Sequence, residues 1–479
     1  MKIINIILVT VIILFSSCSR NSSDNQTEIL WDNRGVPHIY AAGEAEMYYA
    51  FGWVQMQNHA DLILKLYTEA RGSASEFFGE EKLESDRLVH LFNLPDSAAA
   101  QYERLTGDDK LFLDSFVKGL NDYAEANTGN IGERLLGVLP LTAADVIAHS
   151  KRVMNVEFLG GGDIMKALNV LRDDDVKPGS NSYAIAPSRS ESGNAMLVAN
   201  PHLPWSNLYL FFEAHLNAPG YSVYGVTMVG MPVLNIGFND NLGWTHTVNT
   251  IDASDRYSLV LEGGGYLLDG VVRTFDEKSV TAKVLQDDGS LVEKDLTLRY
   301  SEHGPVIGQK GSKAVAVRIA GFEKDSYYTQ YRRMGKASNL EEFEEALRMM
   351  QIPMFNVVYA DRDGNIMYLF NGNVPVRSEG EWSFWQNEVD GTRSDLIWDS
   401  YHGYDELPRL VNPEPGFVQN ANDAPWTSTF PVVMNEDDFP AYMSPAPAER
   451  PTSMRAQRAV NLIKDNESIS FEKLVDYKL

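Results

Sequence analysis

Between residues 166 and 179 the chain changes its period. Up to about residue 165 the apolar side chains recur at helical spacing, and from Ser182 onward they fall into short β-rich runs set off by turn residues. Such a chain joins a mainly helical first third to a β-rich remainder. The joint carries Asp173-Asp174-Asp175 and ends in Lys177-Pro178-Gly179. Adjacent carboxylates repel one another and favour a solvated segment, so residues 166–179 are expected to form a removable linker.

Within the helical third, 44–70, 96–126 and 143–158 are expected as helices, the last opened by Thr142 with Asp145 as an N-terminal capping pair. Ahead of them, residues 31–40 form an extended segment turned at Arg34-Gly35. In the remainder, 195–199, 223–229 and 234–238 are expected as strands. Residues 278–286 and 291–300 flank Asp287-Asp288-Gly289-Ser290, a hairpin signal because Asp-Gly supplies the positive φ such turns need. A second hairpin is expected around Asp361-Arg362-Asp363-Gly364-Asn365, and Ser338 with Glu341 is expected to cap a helix reaching about residue 350.

At 479 residues the chain is long enough for several units with a sizeable core. Its formal charge of −25, from 41 Lys plus Arg against 66 Asp plus Glu, argues against a nucleic-acid or anionic-lipid partner, since phosphate binding needs cationic surface. The expected ligand is neutral or apolar. Residues 1–18 pair one lysine with an apolar run too short to span a bilayer comfortably, a signal-peptide pattern. Its Phe15-Ser16-Ser17-Cys18 ending resembles a bacterial lipobox. Cys18, the only cysteine, is then expected to carry a lipid that anchors the exported chain in the cell envelope, facing the periplasm, with residues 19–28 as a polar tether. The alternative is a chance cysteine at a signal-peptide end. A lipidated Cys18 leaves the mature body without disulfides, thiolate metal sites or a cysteine nucleophile.

The chemistry centres on Gly179-Ser180-Asn181-Ser182-Tyr183, followed by Asn200-Pro201-His202-Leu203-Pro204-Trp205. Cutting the chain between Gly179 and Ser180 would give one residue both a hydroxyl nucleophile and a free α-amine. An unperturbed α-amine, with a pKa of about 7.7 to 8.0, is partly neutral near pH 7 to 8 and can accept the hydroxyl proton, so no His-Asp pair is needed. Gly-Ser-Asn alone is a common turn. The run from Gly179 through His202 to Gly243-Trp244-Thr245-His246-Thr247-Val248, together with Arg34-Gly35-Val36-Pro37-His38-Ile39-Tyr40, Ala70-Arg71-Gly72, Asn356-Val357-Val358-Tyr359-Ala360-Asp361 and Gln419-Asn420-Ala421-Asn422-Asp423, resembles the penicillin-amidase family of N-terminal-serine hydrolases. Within that family it is most similar to acyl-homoserine-lactone acylases and aculeacin-type lipopeptide acylases.

The resemblance implies an α+β fold, a four-layer αββα sandwich of the N-terminal-nucleophile hydrolases. A mainly helical small subunit over 29–165 would wrap a large subunit over 180–479, the two forming a processed heterodimer after cleavage of the Gly179-Ser180 bond. It implies an acyl-ester on Ser180, an oxyanion bound by the Val248 backbone N–H and the Asn422 side chain, His202 beside the nucleophile, and Arg455 supporting Asn422. For His202 and Arg455 a structural histidine and a surface arginine are the competing possibilities; His38 and His246 are expected to be structural. Leu203 and Met231 match positions lining an acyl pocket, or are ordinary core residues. Asp252, Asp255 and Asp163 match a structural calcium site, the alternative being solvated loop acids; no cofactor is implied for catalysis. The substrate implied is a small N-acyl amide, with a long acyl chain as in acyl-homoserine lactones or lipopeptides. A penicillin- or cephalosporin-type β-lactam is the alternative, and a non-catalytic lipoprotein that keeps the fold as a binding module is another. Members of the family usually continue beyond the point matching Leu479, so the large subunit is expected to be incomplete: either a further C-terminal chain completes it as a partner, or the activity is lost.

Overall fold

The computed structural model describes residues 26–168 and 179–478. Cys18, the signal segment, Asp173 to Asp175 and the greater part of the expected linker lie outside the described residues. The helix Gly161–Ala167 runs past residue 165 and buries Ala167, and Gly179 begins a strand.

Helices and strands stack in four layers. The central strand Gly179–Ile185 pairs antiparallel with Met196–His202 on one side and Phe417–Asn420 on the other, making a three-stranded sheet. Successive side chains of a strand point to opposite faces. Ala184 accordingly packs into the main core with the nine-stranded sheet, whereas Tyr183 and Ile185 pack with Ala459, Ile463 and Leu474 of helices Met454–Ile463 and Phe471–Lys478. The nine-stranded sheet carries the long helices of the first third on its other face. The order is helices, nine-stranded sheet, three-stranded sheet, helices, the αββα sandwich expected.

The first third contributes two strands to this sheet. Glu28–Trp31 and Pro37–Tyr40 form a hairpin whose turn is closed by Asp32, which accepts the N–H groups of Arg34 and Val36, with Gly35 at φ +80°. The second strand lies parallel to Phe211–Ala218, with His38 opposite His215. Helix Glu44–Arg71 crosses Gly107–Ala126 at Gly52 and Gly119, where a Cβ would come within 2.1 Å of the Phe116 carbonyl oxygen and 1.9 Å of that of Tyr49. Only glycine permits that approach.

An eight-stranded sheet, reached from the nine-stranded one through residues 248–253, holds the hairpin Asp276–Leu285 and Leu291–Ser301, with Gly289 at φ +84°. The second hairpin is Asn356–Asp361 with Ile366–Phe370, Gly364 at φ +94°. Thr142 and Asp145 form a full capping box. Two expectations need correction. The stretch 96–126 is two helices, Leu94–Arg104 and Gly107–Ala126, broken where Gly107 takes φ +56°. The helix cap placed at Ser338 is Asn339, whose side chain accepts the Glu342 N–H, while Ser338 donates to the Glu342 carboxylate. Among the described residues no helix is long and apolar enough to cross a membrane.

Candidate active site

Ser180 sits where the three-stranded sheet faces the nine-stranded one, 3% exposed and opposite Pro201 in the ladder. Its Oγ donates to the Gly179 carbonyl oxygen at 2.7 Å, and its backbone N–H donates to Asn422 Oδ1 at 2.6 Å. Gly179 is confined by its neighbours: a Cβ there would lie 3.1 Å from Asn422 Oδ1 and 3.2 Å from an Arg455 guanidinium nitrogen.

Asn422 follows the strand Phe417–Asn420 in a left-handed conformation, φ +68°, which asparagine tolerates better than most residues. Its side-chain nitrogen donates to the Val248 carbonyl at 2.8 Å, and its backbone N–H donates to Asn420 Oδ1 at 2.8 Å. Arg455 extends from the first turn of helix Met454–Ile463. It donates to Asn422 Oδ1 and to the Ser180 carbonyl, both at 2.8 Å, and to Asn181 Oδ1 at 2.9 Å. Ser453 caps that helix and is itself tied to the Asp423 carboxylate through its N–H at 2.9 Å and its hydroxyl at 2.5 Å. Ser180, Val248, Asn422 and Arg455 are thus one connected cluster, built from segments up to 275 residues apart.

His202 stands opposite Gly179 in the ladder with an exposed side chain and makes no hydrogen bond to Ser180. Partial desolvation and the charges of Arg455 and Lys478 lower its pKa.

Behind this cluster a buried polar chain went unrecognised in the sequence. Thr247 donates to Asn420 Oδ1 at 2.6 Å, Asn356 donates to Thr247 Oγ1 at 2.9 Å, and Tyr368 donates to Asn356 Oδ1 at 2.7 Å. Each buried polar group here has its partner, which is how such a chain rigidifies rather than destabilises. The signal was present: Asn356 opens one motif quoted above and Asn420 is the second residue of another, yet neither had an assigned role.

A cavity of about 40 Å³ adjoins Ser180, with Leu203, Phe211, Ile236 and Val248 in its walls. His246 and Tyr331 stand at its polar side. Asn356 O lies 3.1 Å from His246 Nδ1 and Tyr331 OH 3.0 Å from Nε2, so the ring donates from Nδ1 and accepts at Nε2. Burial pushes the His246 pKa down to about 4. The ring is therefore neutral and structurally held, as expected, but it is also a cavity wall. Met231 is not. It is fully buried, with its carbonyl accepting from Gln55 at 3.0 Å and outside the cavity lining.

The calcium expectation meets a different arrangement. Asp252 and Asp255 face Arg377, whose side chain is fully buried. Asp163 is bonded to Arg256 at 3.0 Å and lies 3.5 Å from Lys166. Among the described residues no three acidic, histidine or cysteine side chains converge as a metal site. Ca²⁺ takes six to eight oxygen ligands, and these carboxylates are already committed to cationic side chains, so they do not fit the ion. Burial pushes the Asp252 and Asp255 pKa values up, against the lowering effect of Arg377.

A four-layer αββα core with a serine at the head of a strand between the two inner sheets has the fold of the N-terminal-nucleophile hydrolases. The chain belongs to the penicillin amidase family, whose profile matches residues 26–479. It is 28% identical to the acyl-homoserine lactone acylase PvdQ of Pseudomonas savastanoi pv. phaseolicola over 85% of this chain and 60% of that protein. It is 23% identical to the penicillin acylase 2 proenzyme of Pseudomonas sp. strain SE83, over 88% and 61%. The chain thus spans about three fifths of the length of the curated relatives it matches. A solved structure of thermostable penicillin G acylase from Alcaligenes faecalis shares the fold, with a TM-score of 0.51 and 21% identity over 62% of this chain and 51% of that one.

Proposed function

We propose that this chain is an autoprocessed amidohydrolase that cleaves N-acyl amide bonds through an acyl-ester on Ser180. The observation that carries the proposal is the convergence of Ser180, Asn422, Val248 and Arg455 around the Gly179-Ser180 bond. In processing, Ser180 Oγ attacks the Gly179 carbonyl carbon and the bond to the Ser180 nitrogen breaks. Water then hydrolyses the resulting ester, leaving a carboxylate on Gly179 and a free amine on Ser180. The first fragment and the large fragment stay together as a heterodimer, supported by the shared nine-stranded sheet and the main core.

In turnover the α-amine accepts the Ser180 hydroxyl proton and passes it to the leaving amine, then activates water for deacylation. The oxyanion sits between the Val248 N–H and the Asn422 side-chain amide. Asn422 Nδ2 now donates to the Val248 carbonyl at 2.8 Å, so it turns toward the substrate when an oxyanion forms. This chemistry needs no cofactor.

The acyl group enters the cavity beside Ser180. That cavity shares Pro201, Phe211 and Ile236 with a groove of about 810 Å³ between the two inner sheets, also lined by Leu197, Val226 and Trp244. A short acyl group fills the first space, and a long chain continues past the shared wall into the second. This supports N-acyl substrates with long apolar chains, such as acyl-homoserine lactones or lipopeptides. The small size of the first cavity favours the second possibility, an aromatic acyl group as in penicillins. Purified wild type and Ser180→Ala are to be compared on dodecanoyl- and butanoyl-homoserine lactone and on a phenylacetyl amide. Release of the acyl acid by wild type alone, fastest from the dodecanoyl substrate, is expected; equal release by both proteins would refute the proposal.

Export with a lipid on Cys18 belongs to the same proposal. Membrane-fraction recovery of wild type, lost in Cys18→Ser, is the expected outcome.

A further inference from the structure

Residues 248–253 bridge two sheets. They leave the strand Leu242–Thr247 of the nine-stranded sheet and enter Ser254–Glu262 of the eight-stranded one. At one end Val248 lines the same cavity as Ser180, and its carbonyl accepts from Asn422. The other end is gripped by one side chain. Arg377 Nη1 donates to Asp252 Oδ2 at 3.1 Å, and Nη2 donates to the Asp252 carbonyl at 2.9 Å and to both Asp255 oxygens at 3.0 and 2.9 Å. The Trp398 indole N–H adds a bond to Asp255 Oδ2 at 2.5 Å, and the Arg377 guanidinium lies 4.4 Å from the Trp385 ring centre.

A planar fork with several fixed donors does here what a spherical ion does with oxygen ligands. It binds two carboxylates and a carbonyl at once, and it sets their geometry. The carboxylates also have cationic partners without a metal: Asp163 stands against Lys166 and Arg256, and Asp252 and Asp255 against Arg377, with Glu388 3.9 Å from Arg256 at the exposed side. A divalent ion added here would have to share Asp252 and Asp255 with a fully buried guanidinium. Arg256 extends the link by donating to the Gln386 carbonyl at 3.1 Å and to Asp163 on the helix Gly161–Ala167, so the same cluster ties the segment ahead of Ser180 to the bridge behind Val248.

We propose that Arg377 is the resident cation of this cluster in place of calcium, and that it is a positioning residue holding the 248–253 bridge so that the Val248 N–H points at the oxyanion. The positioning half rests on the Ser180 hydrolase reading proposed above; the cation half does not.

The test has two arms on the full processed protein. In the first, metal content and thermal unfolding are measured for wild type with a chelator and with millimolar Ca²⁺. No bound calcium and an unchanged midpoint are expected, and stoichiometric calcium or a midpoint lowered by the chelator overturns the cation assignment. In the second, Arg377→Ala and Arg377→Lys are compared with wild type on an amide the wild type cleaves. Loss of an oxyanion donor outright costs about a hundred- to a thousandfold in kcat, so loosening one is expected to cost about ten- to a hundredfold, with KM nearly unchanged. Added ethylguanidinium is expected to restore part of the Arg377→Ala rate and not to affect wild type. If Arg377→Ala does not fold, Arg377→Lys keeps the charge without the fork and carries the same comparison. Wild-type kcat in Arg377→Lys, or a change in KM alone, overturns the positioning role. A wild type that cleaves no amide refutes the hydrolase proposal and leaves the calcium arm decisive for the cation.

Discussion

The backbone N–H of Ser180 donates to Asn422 Oδ1 at 2.6 Å. In the uncut chain this holds the Gly179-Ser180 peptide, the bond that Ser180 is proposed to cut. In the proposed mechanism the same nitrogen becomes the α-amine after cleavage, and the same oxygen would orient it beside the hydroxyl. The opposite end of the Asn422 amide faces Val248. In the proposed mechanism this one side chain therefore has two roles, orienting the base and supplying an oxyanion donor.

Asn422→Ala removes both. Loss of one oxyanion donor costs roughly 3 to 4 kcal/mol of transition-state stabilisation, about a hundred- to a thousandfold in rate. Steady-state hydrolysis by folded Asn422→Ala should show at least that fall in kcat; a loss below tenfold contradicts the assignment.

Arg455 acts on Ser180 through Asn422 and the Ser180 carbonyl, each at 2.8 Å. Its fork geometry is not reproduced by lysine. Arg455→Lys should slow both processing and turnover by about tenfold, and Arg455→Ala by more, while the unfolding midpoint moves little because the side chain is exposed. Equal rates in wild type and Arg455→Lys would reduce Arg455 to a surface residue.

Phe211 lies in the wall common to the small cavity and the large groove. Phe211→Ala should join the two spaces and raise the ratio of kcat/KM for dodecanoyl over butanoyl substrates by about tenfold, since each methylene in an apolar pocket is worth about 1 to 3 kcal/mol at most. Leu203→Trp should fill the first cavity and depress both. An unchanged ratio in Phe211→Ala would place the acyl chain elsewhere.

Burial lowers the pKa of His149 to about 3 and those of His246 and His303 to about 4. An unfolded histidine titrates near 6.5. Below that pH the unfolded chain binds protons that the folded one refuses, so stability falls with acidity by about 1.4 kcal/mol per pH unit for each ring. For His246 the loss runs from about 6.5 down to about 4. Denaturant unfolding of His246→Gln should show a slope against pH shallower by that one-ring amount; an identical slope would mean that His246 is charged in the folded protein.

Local chemistry was legible in the sequence. Asp-Gly turns marked both hairpins, and Thr142 with Asp145 marked a helix start, because each is decided within a few residues. Ser180, Val248, Asn422 and Arg455 were picked out by resemblance and do converge. The break before Gly107 was missed because the helical period continues on both sides of it, and the Asn339 cap because Ser338 offers the same chemistry one position earlier. Arg377 gave no local signal, since its carboxylate partners lie 122 and 125 residues away. The buried chain from Asn420 to Tyr368 was hidden for the same reason, being assembled from three separated segments. Met231 looked like a pocket residue because apolarity does not tell a cavity wall from core.

The central claim is that Ser180 becomes an N-terminal nucleophile by cutting its own chain. Intact-mass analysis with N-terminal sequencing of purified wild type and Ser180→Ala tests it directly. Wild type should yield two fragments, the larger beginning at Ser180, and Ser180→Ala should remain one uncut chain across that bond. A wild type that persists uncut, or a Ser180→Ala protein cleaved at the same position, would contradict it.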